Sequence, residues 1–258
     1  MAMALSPTKL AYFDDMWTLE STAVFLSCLQ VEDGRQAVIL DSTIFHPQGG
    51  GQPADTGFIT SPSSDLKFMV EDVRLKDGLV FHYGFFKDVQ EGWEFKLKEG
   101  QEVSLYVDAE RRDLNSRLHS AGHLLDICMH NLGLSHLEPG KGHHFPDGPF
   151  VEYKGIIPQD QLQTKQRELE IEANALISSG GKVKASMLPY EEASKWCGGD
   201  LPSYISKSST PRIVKFGDHP GGPCGGTHVA DIANIRSLKV TRIRMKKGLT
   251  KVSYSISS

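Results

Sequence analysis

The chain has 258 residues, of which 39% are hydrophobic and 23% charged, with a formal net charge of −4. That length can bury one large core or two modest ones, and the composition is that of a folded globular protein. The acidic balance excludes a uniformly basic nucleic-acid binder, so any phosphate contact must rest on a local patch. No apolar run approaches the roughly 20 residues that a membrane helix needs.

The N-terminus lacks a basic-then-apolar leader pattern, and Asp14, Asp15 and Glu20 argue against a transit segment. From about Leu10 to Tyr106 the pattern is β-rich. Thr22–Leu29 and Arg35–Asp41 read as a strand pair around Glu32-Asp33-Gly34. Phe58–Thr60, Lys67–Val73, Leu79–Tyr83 and Glu102–Val107 follow at short intervals, separated by Gly, Pro, Ser or Asp clusters. Regular short strands of this kind predict a small barrel, with the Gly49-Gly50-Gly51-Gln52-Pro53 stretch as an inter-strand loop.

Asp108 can cap a helix running to about Asn131, with Gly133 as its stop. Its apolar stripe is Leu114, Leu118, Ala121, Leu125 and Cys128 or Met129, so His119 and His123 flank the core face. Beyond it the spacing predicts a strand at Phe150–Tyr153 and a charged helix from about Gln159 to Ser178. Next come a strand at Val183–Met187, a short helix from Tyr190 to Trp196 and a strand at Arg212–Phe216. Ser237–Met245 and Thr250–Ile256 close the chain as a hairpin around Lys246-Lys247-Gly248. Strands and helices without a strict βαβ rhythm make the class α+β. The expected division is a β-barrel domain over residues 1–106 and an α/β-sandwich domain over residues 107–258, the latter with a mixed or antiparallel sheet.

Two short half-sites about a hundred residues apart carry the chemistry. His119-Ser120-Ala121-Gly122-His123 puts two imidazoles four residues apart on one helix face, and Cys224-Gly225-Gly226-Thr227-His228 puts a thiol and an imidazole on a Gly-rich turn. A half-buried, hydrogen-bonded histidine pair is the plain structural reading of either alone. Jointly they supply three nitrogens and one sulfur, a set suited to tetrahedral Zn²⁺. The first motif lacks the Glu that a zincin uses as base, because Ser120 stands there, which disfavours a protease. The Gly-rich loop has neither a Walker lysine nor a dinucleotide fingerprint, so no nucleotide cofactor is expected.

Four cysteines (28, 128, 197 and 224) without CxxC spacing argue against a disulfide framework and fit a reducing, cytoplasmic setting. His143 and His144, adjacent in sequence, read as surface residues or as supports behind a ligand. Asp218 and His219 lie close enough to Cys224 in sequence to orient a ligand or to bind a substrate ammonium. Arg111 and Arg112 open the histidine helix, while Lys239, Arg242, Arg244, Lys246, Lys247 and Lys251 crowd the C-terminal hairpin. A solvated basic face is the common reason for such a run; in an acidic chain it also suits phosphate tracking.

The histidine and cysteine motifs together resemble the metal-binding signature of the editing domains of alanyl- and threonyl-tRNA synthetases. Phe45-His46-Pro47-Gln48-Gly49-Gly50-Gly51-Gln52-Pro53-Ala54-Asp55-Thr56-Gly57 is similar to the Gly-rich motif of the alanyl branch. Order and spacing resemble the freestanding alanyl-tRNA editing proteins of the AlaX type, in their medium-length form, over nearly the whole chain.

The resemblance implies a zinc-dependent deacylase that acts on the aminoacylated acceptor end of tRNA in translation fidelity. Its first substrate would be Ser-tRNA(Ala) and its second Gly-tRNA(Ala), with a monomer expected and no membrane. Ser-tRNA(Thr) deacylation, or a non-catalytic RNA-binding protein with a structural zinc, are the alternatives. Under this resemblance His119, His123, Cys224 and His228 hold the metal, and Gln52, Ser120 and Thr227 are the catalytic candidates. Arg111, Arg112, Arg242, Arg244, Lys246 and Lys247 are the candidates for tRNA contact. Relatives often carry Thr at the place of Ser120, which leaves the preferred amino acid open.

Overall fold

In a computed structural model, residues 5–62, 65–87, 97–199 and 201–257 are described. The chain divides into two compact units, one of Met1–Gly49 with Pro53–Arg112 and one of Gly50–Gln52 with Asp113–Ser258. The architecture is α+β.

The first unit is built on a closed barrel. Its strands are β2 (Glu20–Gln30), β3 (Gln36–Leu40), β5 (Gly57–Thr60), β6 (Lys67–Lys76), β7 (Leu79–Lys87) and β8 (Glu102–Val107). They close in the order β2-β3-β7-β6-β5-β8, and every pairing is antiparallel. Two short strands, β1 (Lys9–Leu10) and β4 (Ser42–Thr43), pair beside it in parallel. The period of two explains the barrel. In β8, Val103, Leu105 and Val107 turn inward and are buried, while Ser104 and Tyr106 lie between them half-exposed. Phe25, Val38, Leu40, Phe68 and Val70 fill the same interior.

A buried ion pair ties this unit together. The Arg112 guanidinium donates to both Asp55 carboxylate oxygens, its Nη2 lying 2.5 Å from Oδ2. It also donates to the carbonyls of Met16 and Ile44 at 2.9 and 2.6 Å. Asp55 in turn accepts the His46 amide at 2.6 Å. The two side chains are 4% and 0% exposed, so Arg112 is not available to a phosphate. The expectation that it contacts tRNA is corrected on that ground. A basic residue opening a helix is indistinguishable in sequence from a solvated one, and the partner lies 57 residues away.

In the second unit, β14 (Leu238–Lys246), β15 (Leu249–Ile256), β10 (Phe150–Lys154) and β9 (Glu138–His143) form a four-stranded sheet in the order β14-β15-β10-β9. All its pairings are antiparallel. Helix α2 (Leu162–Ser179) lies along β14, where Asn174 bridges the amide and carbonyl of Leu238 and Glu170 accepts the Val240 amide. A second sheet joins β11 (Val183–Met187), β12 (Arg212–Phe216) and β13 (Gly222–Pro223), with α3 (Tyr190–Cys197) against β12.

Helix α1 (Ala109–Asn131) begins where Asp108 Oδ1 accepts the Arg111 amide and ends at Gly133, whose φ is 73°. Leu118, Ala121, Leu124, Leu125, Cys128 and Met129 are buried along it. Among the described residues no helix is long and apolar enough to cross a membrane.

The Arg112 pair gives a first prediction. Arg112→Ala strands the Asp55 carboxylate in the interior and should cost about 3–5 kcal/mol of unfolding free energy. Urea denaturation measures this, and an unshifted midpoint would mean that the pair contributes nothing.

Candidate metal centre

Four side chains from two segments converge. His119 and His123 are one helical turn apart on α1, and Cys224 and His228 come from the turn that follows β13. One ligand atom from each lies within 4.8 Å of every other, and His119 and His228 are buried. Cys224 Sγ stands 3.5 Å from His119 Nε2 and 3.6 Å from His228 Nε2. Bonds of about 2.3 Å to sulfur and about 2.1 Å to nitrogen, at a tetrahedral angle, place the two donor atoms about 3.6 Å apart. A thiol carries one hydrogen and cannot donate to both rings. His123 Nε2 is buried and has no hydrogen-bond partner. An orphaned nitrogen, tetrahedral spacing and a three-nitrogen, one-sulfur donor set all fit a metal ion.

The local electrostatics suit neutral imidazoles. Burial lowers the pKa of His123 to about 4, which leaves its ring uncharged and able to ligate at neutral pH. Burial raises that of the Cys224 thiol, opposed by the Gly226 amide, which donates to the sulfur at 3.4 Å, and by the charge of Arg212. Arg212 Nη1 also donates to the carbonyls of Cys224 and Gly226, both at 2.9 Å, and so pins the turn to β12.

Gln52 fixes the tautomer of His119. Its Oε1 accepts the Thr227 amide at 3.0 Å, and since an amide N–H can only donate, this settles which end of the Gln52 side chain is oxygen. His119 Nδ1, 2.7 Å from the same oxygen, must then carry the hydrogen, which leaves the Nε2 lone pair facing Cys224. Gln52 Nε2 donates to Thr227 Oγ1 at 2.8 Å, and that hydroxyl also meets Ser116 Oγ at 2.8 Å. Gln52 and Thr227 are each 0% exposed. Ser120, equally buried, accepts the Val229 amide at 3.1 Å and so holds the other end of the Cys224–His228 turn.

The remaining sequence candidates are scattered. Arg111 is half-buried and donates to the Ala54 carbonyl at 2.9 Å. Arg242, Arg244, Lys246 and Lys247 are exposed on the β14–β15 hairpin, where Arg242 and Arg244 sit opposite Ser253 and Lys251. Asp218 is exposed and His219 half-buried in the turn after β12, and neither joins the four donors.

Sequence reasoning missed Ser116 and Arg212; of its two readings of His144, a surface residue or a support behind a ligand, the structure contradicts the first. The His144 ring is buried and stacks on His119 with centroids 4.6 Å apart. Burial, then the neighbouring His123 and His143, lower its pKa to about 3. Gly142, two residues before it, was the available signal for the buried place, since a bulky ring needs a bare backbone beside it.

The comparisons with known proteins agree with the motifs. Alanyl-tRNA editing protein AlaX-L of Pyrococcus horikoshii is 33% identical over 249 residues, which is 95% of this chain and 57% of that protein. The chain is therefore similar to an AlaX-type editing protein over nearly its whole length. Alanine–tRNA ligase of Methanosarcina mazei is 28% identical over 256 residues, 97% of this chain and 26% of the ligase. Alanine–tRNA ligase 1 of Lachnoclostridium phytofermentans is 33% identical over 219 residues, 82% of this chain and 23% of the ligase. A family model described as tRNA synthetases class II (A) matches residues 19–111, a stretch that ends before the four donors. The chain thus spans a little over half the length of the editing protein and about a quarter of the ligases.

The bare backbone at Gly226 gives a second prediction. A Cβ there would lie 2.3 Å from the His119 ring and 2.7 Å from Gln52 Oε1, whereas one at Gly222 would meet open space. Gly226→Ala should lower zinc retention after loading, measured by mass spectrometry, while Gly222→Ala retains wild-type content. Equal retention in both variants would show that His119 needs no such clearance.

Proposed function

We propose that this chain removes wrongly attached amino acids from tRNA(Ala) by hydrolysing the ester to the terminal adenosine, with Ser-tRNA(Ala) as first substrate and Gly-tRNA(Ala) as second. The observation that carries the reading is the four-donor cluster braced by Gln52 and Thr227, in a chain whose relatives include an alanyl-tRNA editing protein. His119, His123, Cys224 and His228 would hold one Zn²⁺. Bound there, zinc supplies a positive charge that can polarise an ester carbonyl or anchor an amino group.

The surrounding residues prepare the site. Gln52 acts through His119, holding its Nδ1–H so that Nε2 is presented as a lone pair. This makes it a positioning residue, where the resemblance implied a catalytic one. Ser116 and Thr227 complete the brace, and Ser120 and Arg212 keep the Cys224–His228 turn in place. The exposed cations Arg242, Arg244, Lys246 and Lys247 provide the phosphate-tracking face that an acidic chain needs to hold the acceptor end of tRNA. Cysteines that are all free among the described residues fit a reducing compartment such as the cytoplasm.

The wild-type chain should carry about one zinc and deacylate Ser-tRNA(Ala) faster than Ala-tRNA(Ala). Gln52→Ala should lower zinc affinity or the single-turnover rate by about 10–100-fold, as loss of the group that orients a ligating histidine commonly does. A zinc-free wild-type protein, or one inert towards every mischarged tRNA, would reject the reading.

A separate measurement isolates docking. Neutralising Arg242, Arg244, Lys246 and Lys247 together should weaken tRNA binding and flatten its dependence on salt, because fewer counterions are released per complex. An unchanged salt slope would reduce the hairpin to a solvated basic face.

A further inference from the structure

Beside the four donors lies a fifth polar side chain, the imidazole of His144. It occupies a slot lined by bare backbone. A Cβ on Gly122 would come within 2.3 Å of its Cε1, one on Gly142 within 2.5 Å of its Nε2, and one on Gly51 within 3.2 Å of its Cδ2. The His144 amide donates to the Gly51 carbonyl at 2.8 Å, which fixes the base of the ring.

Hydrogen bonding sets its tautomer. The Tyr254 hydroxyl donates to the Leu118 carbonyl at 2.9 Å and lies 2.7 Å from His144 Nδ1. A phenol has one hydrogen, and here the carbonyl takes it, so Nδ1 must be the donor to Tyr254. Nε2 therefore carries a lone pair. Among the described residues no group donates to it, while the ring stacks against His119, one of the four donors.

The nearby hydroxyls are committed elsewhere. Ser120 Oγ accepts the Val229 amide, and Thr227 Oγ1 lies between Gln52 Nε2 and Ser116 Oγ. Both side chains are completely buried. Their enclosure leaves them less available than His144 to the one feature that separates a seryl from an alanyl ester, its side-chain hydroxyl. A buried acceptor left unpaired by one ligand and satisfied by another discriminates strongly between them.

We propose that His144 Nε2 accepts the hydrogen bond of the seryl hydroxyl and so sets the preference for seryl over alanyl esters, an inference that rests on the ester-hydrolysis reading above. The tyrosine–carbonyl pair behind the ring keeps Nε2 an acceptor, and the three glycines give it its place.

The test uses the full-length, zinc-loaded chain and two non-hydrolysable probes, the seryl and alanyl amides of 3′-amino-3′-deoxyadenosine. Binding is measured by calorimetry, alongside deacylation of Ser-tRNA(Ala) and Ala-tRNA(Ala). The wild type should favour the seryl probe by about tenfold or more. His144→Phe, which keeps a ring in the slot and removes the acceptor, should bring the two probes near parity at unchanged zinc content. Tyr254→Phe, which removes the group that fixes the tautomer, should lower the preference in part, and it carries the test if His144→Phe loses zinc. A preference unaltered in both variants overturns the proposal. An equal loss for both probes also overturns it, by assigning the acceptor to the ammonium that they share. A wild-type chain that deacylates tRNA while His144→Phe keeps its preference rejects only the role of His144; one that neither binds the probes nor deacylates rejects the enzyme reading as well.

Discussion

The contact on which the second unit's chemistry depends is the side-chain amide of Gln52. It meets His119, 67 residues further on, and Thr227, 175 residues further on. Closing such separations costs chain entropy that no local preference repays. The amide offsets it by satisfying three buried polar groups with one side chain: a backbone N–H, a hydroxyl and an imidazole N–H. Each of these would cost about 1–3 kcal/mol if left without a partner in the interior. Remove the amide and His119 loses the bond that selects its tautomer. The donor set then changes its character, although no donor has been removed.

Packing four imidazoles into one place imposes a second constraint. His119 lies within 5 Å, ring centroid to ring centroid, of His123, His144 and His228. Rings this close leave no volume for side chains on the segments that carry or face them. Gly226 abuts His119, and Gly122 abuts His144. The glycines of the Cys224–His228 turn therefore do more than bend the chain. One of them is the clearance that lets a helix histidine approach a turn.

Much of this was legible in the sequence, for a physical reason. Period-two alternation named the barrel strands, and caps at Asp108 and Gly133 framed α1, because both signals are local. His119 and His123 were legible as a pair because i,i+4 spacing on a helix is itself a geometry, and Cys224 and His228 because a Gly-rich turn can bring its two ends together. β9 was not, since Glu138-Pro139-Gly140-Lys141-Gly142-His143 has almost no strand propensity and is held by pairing with β10. Helix α2 begins at Leu162, later than the polar pattern suggested, because residues 159–161 form a separate 3-10 turn. The burial of Arg112, the engagement of Ser120 and the place of His144 each depend on a partner far along the chain. Composition and periodicity carry no record of such partners.

These commitments separate holding from reacting. Three nitrogens and a sulfur are enough to close a tetrahedron, so a metal ion bound by all four would favour positioning over the activation of its own water. Gln52, Ser116, Ser120, Thr227 and Arg212 are already spent on the cluster and its turn. A polar atom left for substrate must then lie beside these residues rather than among them. His144 Nε2 meets that condition, since its own partners, Tyr254 and the glycine slot, hold the ring without using that nitrogen. In the proposed reading RNA docking would fall elsewhere again, to the exposed cations of the hairpin, where charge remains solvated until a phosphate arrives. In the proposed reading positioning, recognition and docking fall to different side chains, so separate substitutions address them.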